Sequence, residues 1–190
     1  CRQIANGGGG ELSPSGVCSA VCAIIVATEK LRSVALQLLM ETEYYTEEKL
    51  KYVNRSDETS LVIASKYSPL SCHIILESPQ CTAAVLNYRS ASGVTAFLNS
   101  IEFSVRSMRS IMLSSHFGSQ TFNATYEDGS TALHIACQQN VYAIPFILDS
   151  EYCTEEFFMK QDVRGFTPLM LLIKYYPEEI NLLLDCIIIL

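Results

Sequence analysis

An all-α array of stacked helix-turn-helix units, a solenoid, is the fold class this sequence predicts, and three observations predict it. Thr59, Thr95, Thr131 and Thr167 recur at a constant lag of 36 positions. Apolar columns keep the same phase: Leu61, Phe97, Leu133 and Leu169, then Ala64, Ser100, Ala136 and Leu172, then Ile75/Leu76, Ile111/Met112, Ile147/Leu148 and Leu183/Leu184. Within each period the local chemistry reads helix, break, helix. A unit of two short helices cannot bury its apolar face alone, so neighbouring units must stack.

Each element follows from this frame. The recurrent threonine suits the start of the first helix, where its hydroxyl can accept from free backbone N–H groups. Residues such as Leu133, Ile135 and Ala136 then supply its apolar face. Ser68-Pro69 and Tyr176-Pro177 mark the start of the second helix, because proline is tolerated in a first helical turn. Ile74/Ile75/Leu76 and Leu182/Leu183/Leu184 are the apolar residues of that helix. Before each threonine stand Asp57, Ser92-Gly93, Asp128-Gly129 and Arg164-Gly165, where glycine permits the positive φ of a tight turn. Segments between units echo one another as YTEEKL (45–50), CTAAVL (81–86) and CTEEFF (153–158). Subtracting a further period places Ile25, Thr28 and Leu39/Met40 in the same columns and predicts a degenerate first unit. The expected organisation is a Gly-rich linker at 1–17 and a repeat domain at 18–190, with units near 18–53, 54–89, 90–125, 126–161 and 162–190.

Composition narrows the function. Of 190 residues, 49% are hydrophobic and 17% charged, which excludes intrinsic disorder. The formal net charge of -7 argues against nucleic acid, which requires cations to displace phosphate counterions, and suits a basic partner. Apolar runs such as 21–28 and 186–190 fall short of the ~20 residues that cross a bilayer, so no membrane contact is expected of this chain. The chain starts at Cys1 without Met and ends inside LLLDCIIIL, which predicts a piece of a longer protein, with an apolar end that favours self-association.

The eight cysteines read as small buried hydrophobes in a chain large enough to build a core. Cys18 and Cys22 lack the further ligands of a zinc site, so neither metal nor cofactor is expected. GGGG at 7–10 lacks the Lys-Ser/Thr of a phosphate loop. His134 and Cys137 share a helical face and could be imagined as base and nucleophile, but nothing places them in a cleft. His73 and His116 have no acidic or cysteine partner in phase. The sequons NRS (54–56) and NAT (123–125) read as chance patterns.

DGSTALHIA at 128–136 and RGFTPLMLL at 164–172 resemble the ankyrin signature T-P-L-H-x-A. DETSLVIA (57–64) and SGVTAFLNS (92–100) are weaker versions in register, and the resemblance covers residues 18–190. Ankyrin units run about 33 residues, so this chain carries extra residues in every unit. The long stretch from Leu148 to Thr167 places them in the CTEEFFMKQ segment, with an additional helical turn expected there.

The resemblance implies that His134 is structural, bridging loops by hydrogen bonds. It also implies that partner contacts come from turn tips and first-helix ends. By unit, the tips are Arg55, Ser56 and Glu58; Ala91, Ser92 and Val94; Glu127, Asp128 and Ser130; and Val163, Arg164 and Phe166. The helix ends are Lys66 and Tyr67, Glu102 and Phe103, Gln138 and Gln139, and Lys174 and Tyr175. Tyr67, Phe103, Phe166 and Tyr175 read as aromatic anchors, with packing against the adjacent unit as the alternative for Phe103 and Phe166. Two functions fit the resemblance: a non-enzymatic cytoplasmic protein-interaction module of a scaffold, adaptor or signalling protein, or the cytosolic domain of a membrane channel similar to the ankyrin-bearing transient receptor potential family, serving assembly or gating.

Overall fold

The computed structural model describes residues 33–42 and 45–184. The linker expected at 1–17, the Cys18/Cys22 pair, Ile25, Thr28 and the apolar end at 185–190 lie outside the described residues. Among those described the elements are helical, with two isolated β-bridges, Val53 with Thr59 and Thr125 with Thr131, and no strand.

The 36-residue lag is visible in the helices themselves. The first helices are α3 (Ser60–Tyr67), α6 (Ala96–Phe103), α9 (Ala132–Gln139) and α12 (Pro168–Tyr175). The second helices are α1 (Ser33–Met40), α4 (Pro69–Leu76), α7 (Val105–Met112) and the shorter α10 (Ile144–Leu148). The segments between units carry short helices α2 (Glu47–Leu50), α5 (Ala83–Leu86), α8 (Ser119–Phe122) and α11 (Glu155–Met159), so the extra helical turn expected in CTEEFFMKQ is present. α1 stands one period before α4, and Met40 is buried.

Each first helix begins the same way. The hydroxyls of Thr59, Thr95, Thr131 and Thr167 accept from the N–H groups of Val62, Leu98, His134 and Met170, satisfying one otherwise free donor at each helix start. The break between helices is a single non-helical residue at Ser68, Ser104, Asn140 and Tyr176, extended at the two serines. Its N–H closes the first helix on Ala64, Ser100, Ala136 or Leu172. At Ser68 and Ser104 the hydroxyl then caps the second helix by accepting from Ser71 or Ser107. One residue therefore ends one helix and starts the next.

Packing repeats with the same period. α3 packs on α6, α6 on α9 and α9 on α12, while α1 packs on α4 and α4 on α7. Ala64, Ser100, Ala136 and Leu172 sit fully buried where the helices approach, and Ile75, Ile111, Ile147 and Leu183 are equally buried on the second-helix side. Carbonyls of the first helices also accept across units: Asn99 Nδ2 donates to the Val62 carbonyl at 3.1 Å and Asn140 Nδ2 to that of Ile101 at 2.8 Å.

The aromatic residues between units 90–125 and 126–161 form one cluster. Phe122 stands at its centre, with ring centroids 4.9 Å from Phe157, 5.9 Å from Tyr152, 6.0 Å from Phe97 and 6.4 Å from Phe117. No helix among the described residues is long and apolar enough to cross a membrane.

Candidate functional site

The turns that precede the threonines share one geometry. In each, the residue at 54, 90, 126 or 162 accepts from the N–H three residues on, and its own N–H donates to the carbonyl four residues on. The third-position residue has positive φ: Asp57 at 60°, Gly93 at 82°, Gly129 at 77° and Gly165 at 81°. Asp57 is the one of the four that carries a side chain at this position, where a Cβ is strained. Its carboxylate accepts from Tyr88 Oη at 2.6 Å and from the Ala91 N–H at 2.7 Å, which ties its turn to the next unit. Those bonds hold its carboxyl below the ordinary carboxylate range. Farther along, the Glu127 N–H donates to the Ser92 carbonyl and the Val163 N–H to the Asp128 carbonyl, so neighbouring turns are joined tip to tip.

Side-chain acceptors shape the tips. Asn54 Oδ1 accepts from the N–H groups of Ser56 and Glu58, and its amide donates to Glu58, so the first sequon asparagine is engaged within its own turn. Asp162, almost fully buried, accepts from the N–H groups of Arg164 and Phe166 and takes a two-pronged contact from the Arg164 guanidinium at 2.8 and 3.0 Å. Burial by itself raises its pKa, but these donors win and hold it low.

His134 performs the bridging role the resemblance implies. Nδ1 accepts from the Thr131 hydroxyl at 2.8 Å, which leaves Nε2–H to donate to the Phe166 carbonyl of the next turn at 3.0 Å. Burial lowers its pKa despite the Phe166 carbonyl and the nearby Asp162 and Asp128, so the ring stays neutral. Neither His134 nor Cys137 is available for proton transfer, because both ring nitrogens are engaged and burial pushes the Cys137 thiol up to about 12. The buried His134 has a testable signature. Its depressed pKa means that the unfolded chain binds the extra proton first, so stability is fully present above 6.5 and declines as pH falls through that value. Thermal melts across this range should show a decline in wild type that is reduced in His134→Gln. His134→Ala should cost about 1–3 kcal/mol at neutral pH, by leaving the Phe166 carbonyl without its donor.

The structure places the expected contact residues unevenly. Arg55, Ser56, Ser92, Glu127 and Arg164 are exposed at tips, as are the neighbouring Ala91 and Val163. Glu58 and Asp128 are half-buried, and Asp128 Oδ1 accepts from the Ser130 N–H. Ser130 is buried with its carbonyl bonded to the Tyr126 N–H; it is part of the turn and not a contact residue. Val94 and Phe166 are half-buried and pack on the core, so Phe166 takes the packing alternative.

The first-helix ends form a strip. Tyr67, Phe103 and Tyr175 are 56%, 45% and 42% exposed, with Gln139 exposed between them and Lys66, Glu102 and Gln138 half-buried alongside. Lys66 Nζ lies 4.2 Å from the Phe103 ring centroid and 5.1 Å from that of Tyr67. At the other end the exposed Lys174 lies 5.2 Å from Phe166 and 5.1 Å from Tyr175. Such contacts order the cations over aromatic faces. Burial raises the Glu102 pKa, tempered by the charge of Lys66. Among the described residues no group of three or more His, Cys, Asp and Glu side chains could hold a metal ion.

Sequence reasoning placed the hinge at Ser68 and Tyr176 but missed it at Ser104 and Asn140, and it missed the Asn99 and Asn140 bridges, the Tyr88–Asp57 link and Asp162. A signal existed for the hinge, since Ser68, Ser104 and Asn140 stand one period apart. No known protein-family model matches the chain, and no curated protein matches it.

Proposed function

We propose that this chain is a non-enzymatic protein-interaction module, an ankyrin-like solenoid of 36-residue units that receives a protein or peptide along its first-helix ends. The observation that carries the reading is the strip of half-exposed Tyr67, Phe103 and Tyr175, set in register by the repeat and ordered by Lys66 and Lys174. Aromatic side chains held on a rigid support lose little entropy on binding, which makes them efficient interface anchors. The tip-to-tip hydrogen bonds and the His134 bridge support the ankyrin likeness, because they fix the projecting turns relative to the strip.

The test is capture of a partner by immobilised wild-type chain and by the Tyr67→Ala/Phe103→Ala/Tyr175→Ala variant, after circular dichroism shows both to be folded. Truncating interface hot spots costs about 2 kcal/mol or more each, so affinity should fall at least ~30-fold. Equal capture by both proteins contradicts this placement of the site.

A further inference from the structure

The second-helix side of the molecule carries grooves between successive second helices: one between α1 and α4 is lined by Leu70, His73, Ile74 and Glu77, and the same columns one period on, Arg106, Arg109, Ser110 and Leu113, line another. α1 packs on α4 and α4 on α7, while α7 and α10 pack less closely. In the second of these grooves the sequence after Asn140 shapes the far wall. Val141–Ala143 coil as a 3-10 turn, and α10 retains five residues where its equivalents have eight, with Pro145 in its first turn. A groove of about 400 Å³ opens there, lined by Val105, Arg106, Arg109, Ser110, Leu113 and Phe146.

The lining is chemically specific. Arg106 and Arg109 are exposed three residues apart on α7, so they share a face. The chain carries 20 acidic against 13 basic residues, yet the ion pairs among the described residues, Lys51 with Glu47 and Arg164 with Asp162, leave both of these guanidinium groups without a carboxylate. One period away on either side, Arg106 is flanked by Leu70 and Tyr142, and Arg109 by His73 and Pro145. Glu77 and Asp149 occupy the column of Leu113 in the neighbouring units, which confines the positive charge to α7. The Arg109 guanidinium lies 5.1 Å from the Phe146 ring centroid, a contact that orders it at the groove wall. Leu113 and Tyr142 stand 83% and 79% exposed at the rim.

We propose that this groove binds a short acidic segment of a partner protein that carries an aliphatic or aromatic side chain among its carboxylates. Arginine forks accept carboxylates in two-pronged geometry, so Arg106 and Arg109 fix the acidic residues. The apolar side chain enters between Leu113 and Phe146, where water is displaced from two apolar walls. This surface is separate from the first-helix strip and does not depend on it.

The test is selection of a phage-displayed random peptide library on the whole chain, with every enriched clone measured on Arg106→Glu/Arg109→Glu, on Arg106→Lys/Arg109→Lys and on the strip variant Tyr67→Ala/Phe103→Ala/Tyr175→Ala. The expected clones combine Asp or Glu with Leu, Ile or Phe. They bind the charge-reversed chain at least ~10-fold more weakly, the loss of one charge-assisted contact, and the strip variant unchanged. The lysine variant retains part of the affinity, and added salt weakens binding. Enriched clones that are basic or uncharged, or that bind the charge-reversed chain equally, overturn the proposal. So does failure to enrich any clone that distinguishes the two chains. Binding of phosphatidylserine vesicles that depends on the arginines, without acidic peptides, would assign the groove to a lipid surface and also overturn it.

Discussion

Phe122→Ala should be the most damaging single truncation in the chain. The side chain is fully buried and touches Phe97, Phe117, Tyr152 and Phe157, which come from two successive units. Removing a ring from such a site loses its transfer energy and leaves a cavity, a cost of about 3–5 kcal/mol. For a chain of this length that is a fall in Tm of roughly 6–20 °C. Phe122→Leu, which refills part of the space, should recover part of the loss. A melting temperature for Phe122→Ala within a degree or two of wild type would mean that the aromatic cluster does not join the units.

The glycines of the turn column should not be equivalent. An alanine Cβ at Gly93 would lie 2.9 Å from the Glu127 N and 3.0 Å from the Thr125 carbonyl oxygen, both backbone atoms of the segment that leads into the next turn. At Gly129 the nearest atom is 3.6 Å away, and at Gly165 nothing lies within 4 Å. All three share the cost of a side chain at positive φ, about 1–2 kcal/mol, partly offset by a less flexible unfolded chain. Only Gly93→Ala must also displace backbone in the neighbouring unit. Denaturant titrations should therefore show the largest loss for Gly93→Ala, with Gly129→Ala and Gly165→Ala smaller and similar to each other. Three equal losses would show that the tips are not tied together as described.

How much of this was legible in the sequence depended on whether residue identity or geometry carried the feature. The capping threonines and the columns through Ala64 and Ile75 were legible because the same physical demand, a free N–H or a close helix approach, selects similar residues in every unit. The short helices between units were legible from the echo of CTEEFF and YTEEKL. The hinge was only half legible: a strongly negative φ suits any residue, so Ser, Asn and Tyr all serve as the single residue that ends one helix and starts the next. Ser130 was misplaced as a contact because the turn motif marks a tip and says nothing of which tip residues turn inward. Phe103 and Phe166 could not be separated until packing showed one on the surface and the other against the core. The Arg106–Arg109 groove was not legible at all, since the repeat columns mark which residues are apolar and not which second-helix residues face a gap between units.

Hydroxyl-radical footprinting of the chain with its captured partner tests the central claim most directly. Radical attack on side chains falls where a partner covers them, so Tyr67, Phe103 and Tyr175 should lose reactivity together on binding. Tyr52 and Met159, exposed away from the strip, should keep theirs. Protection of Tyr52 or Met159 with Tyr67, Phe103 and Tyr175 unchanged would contradict the assignment of the first-helix ends as the binding face.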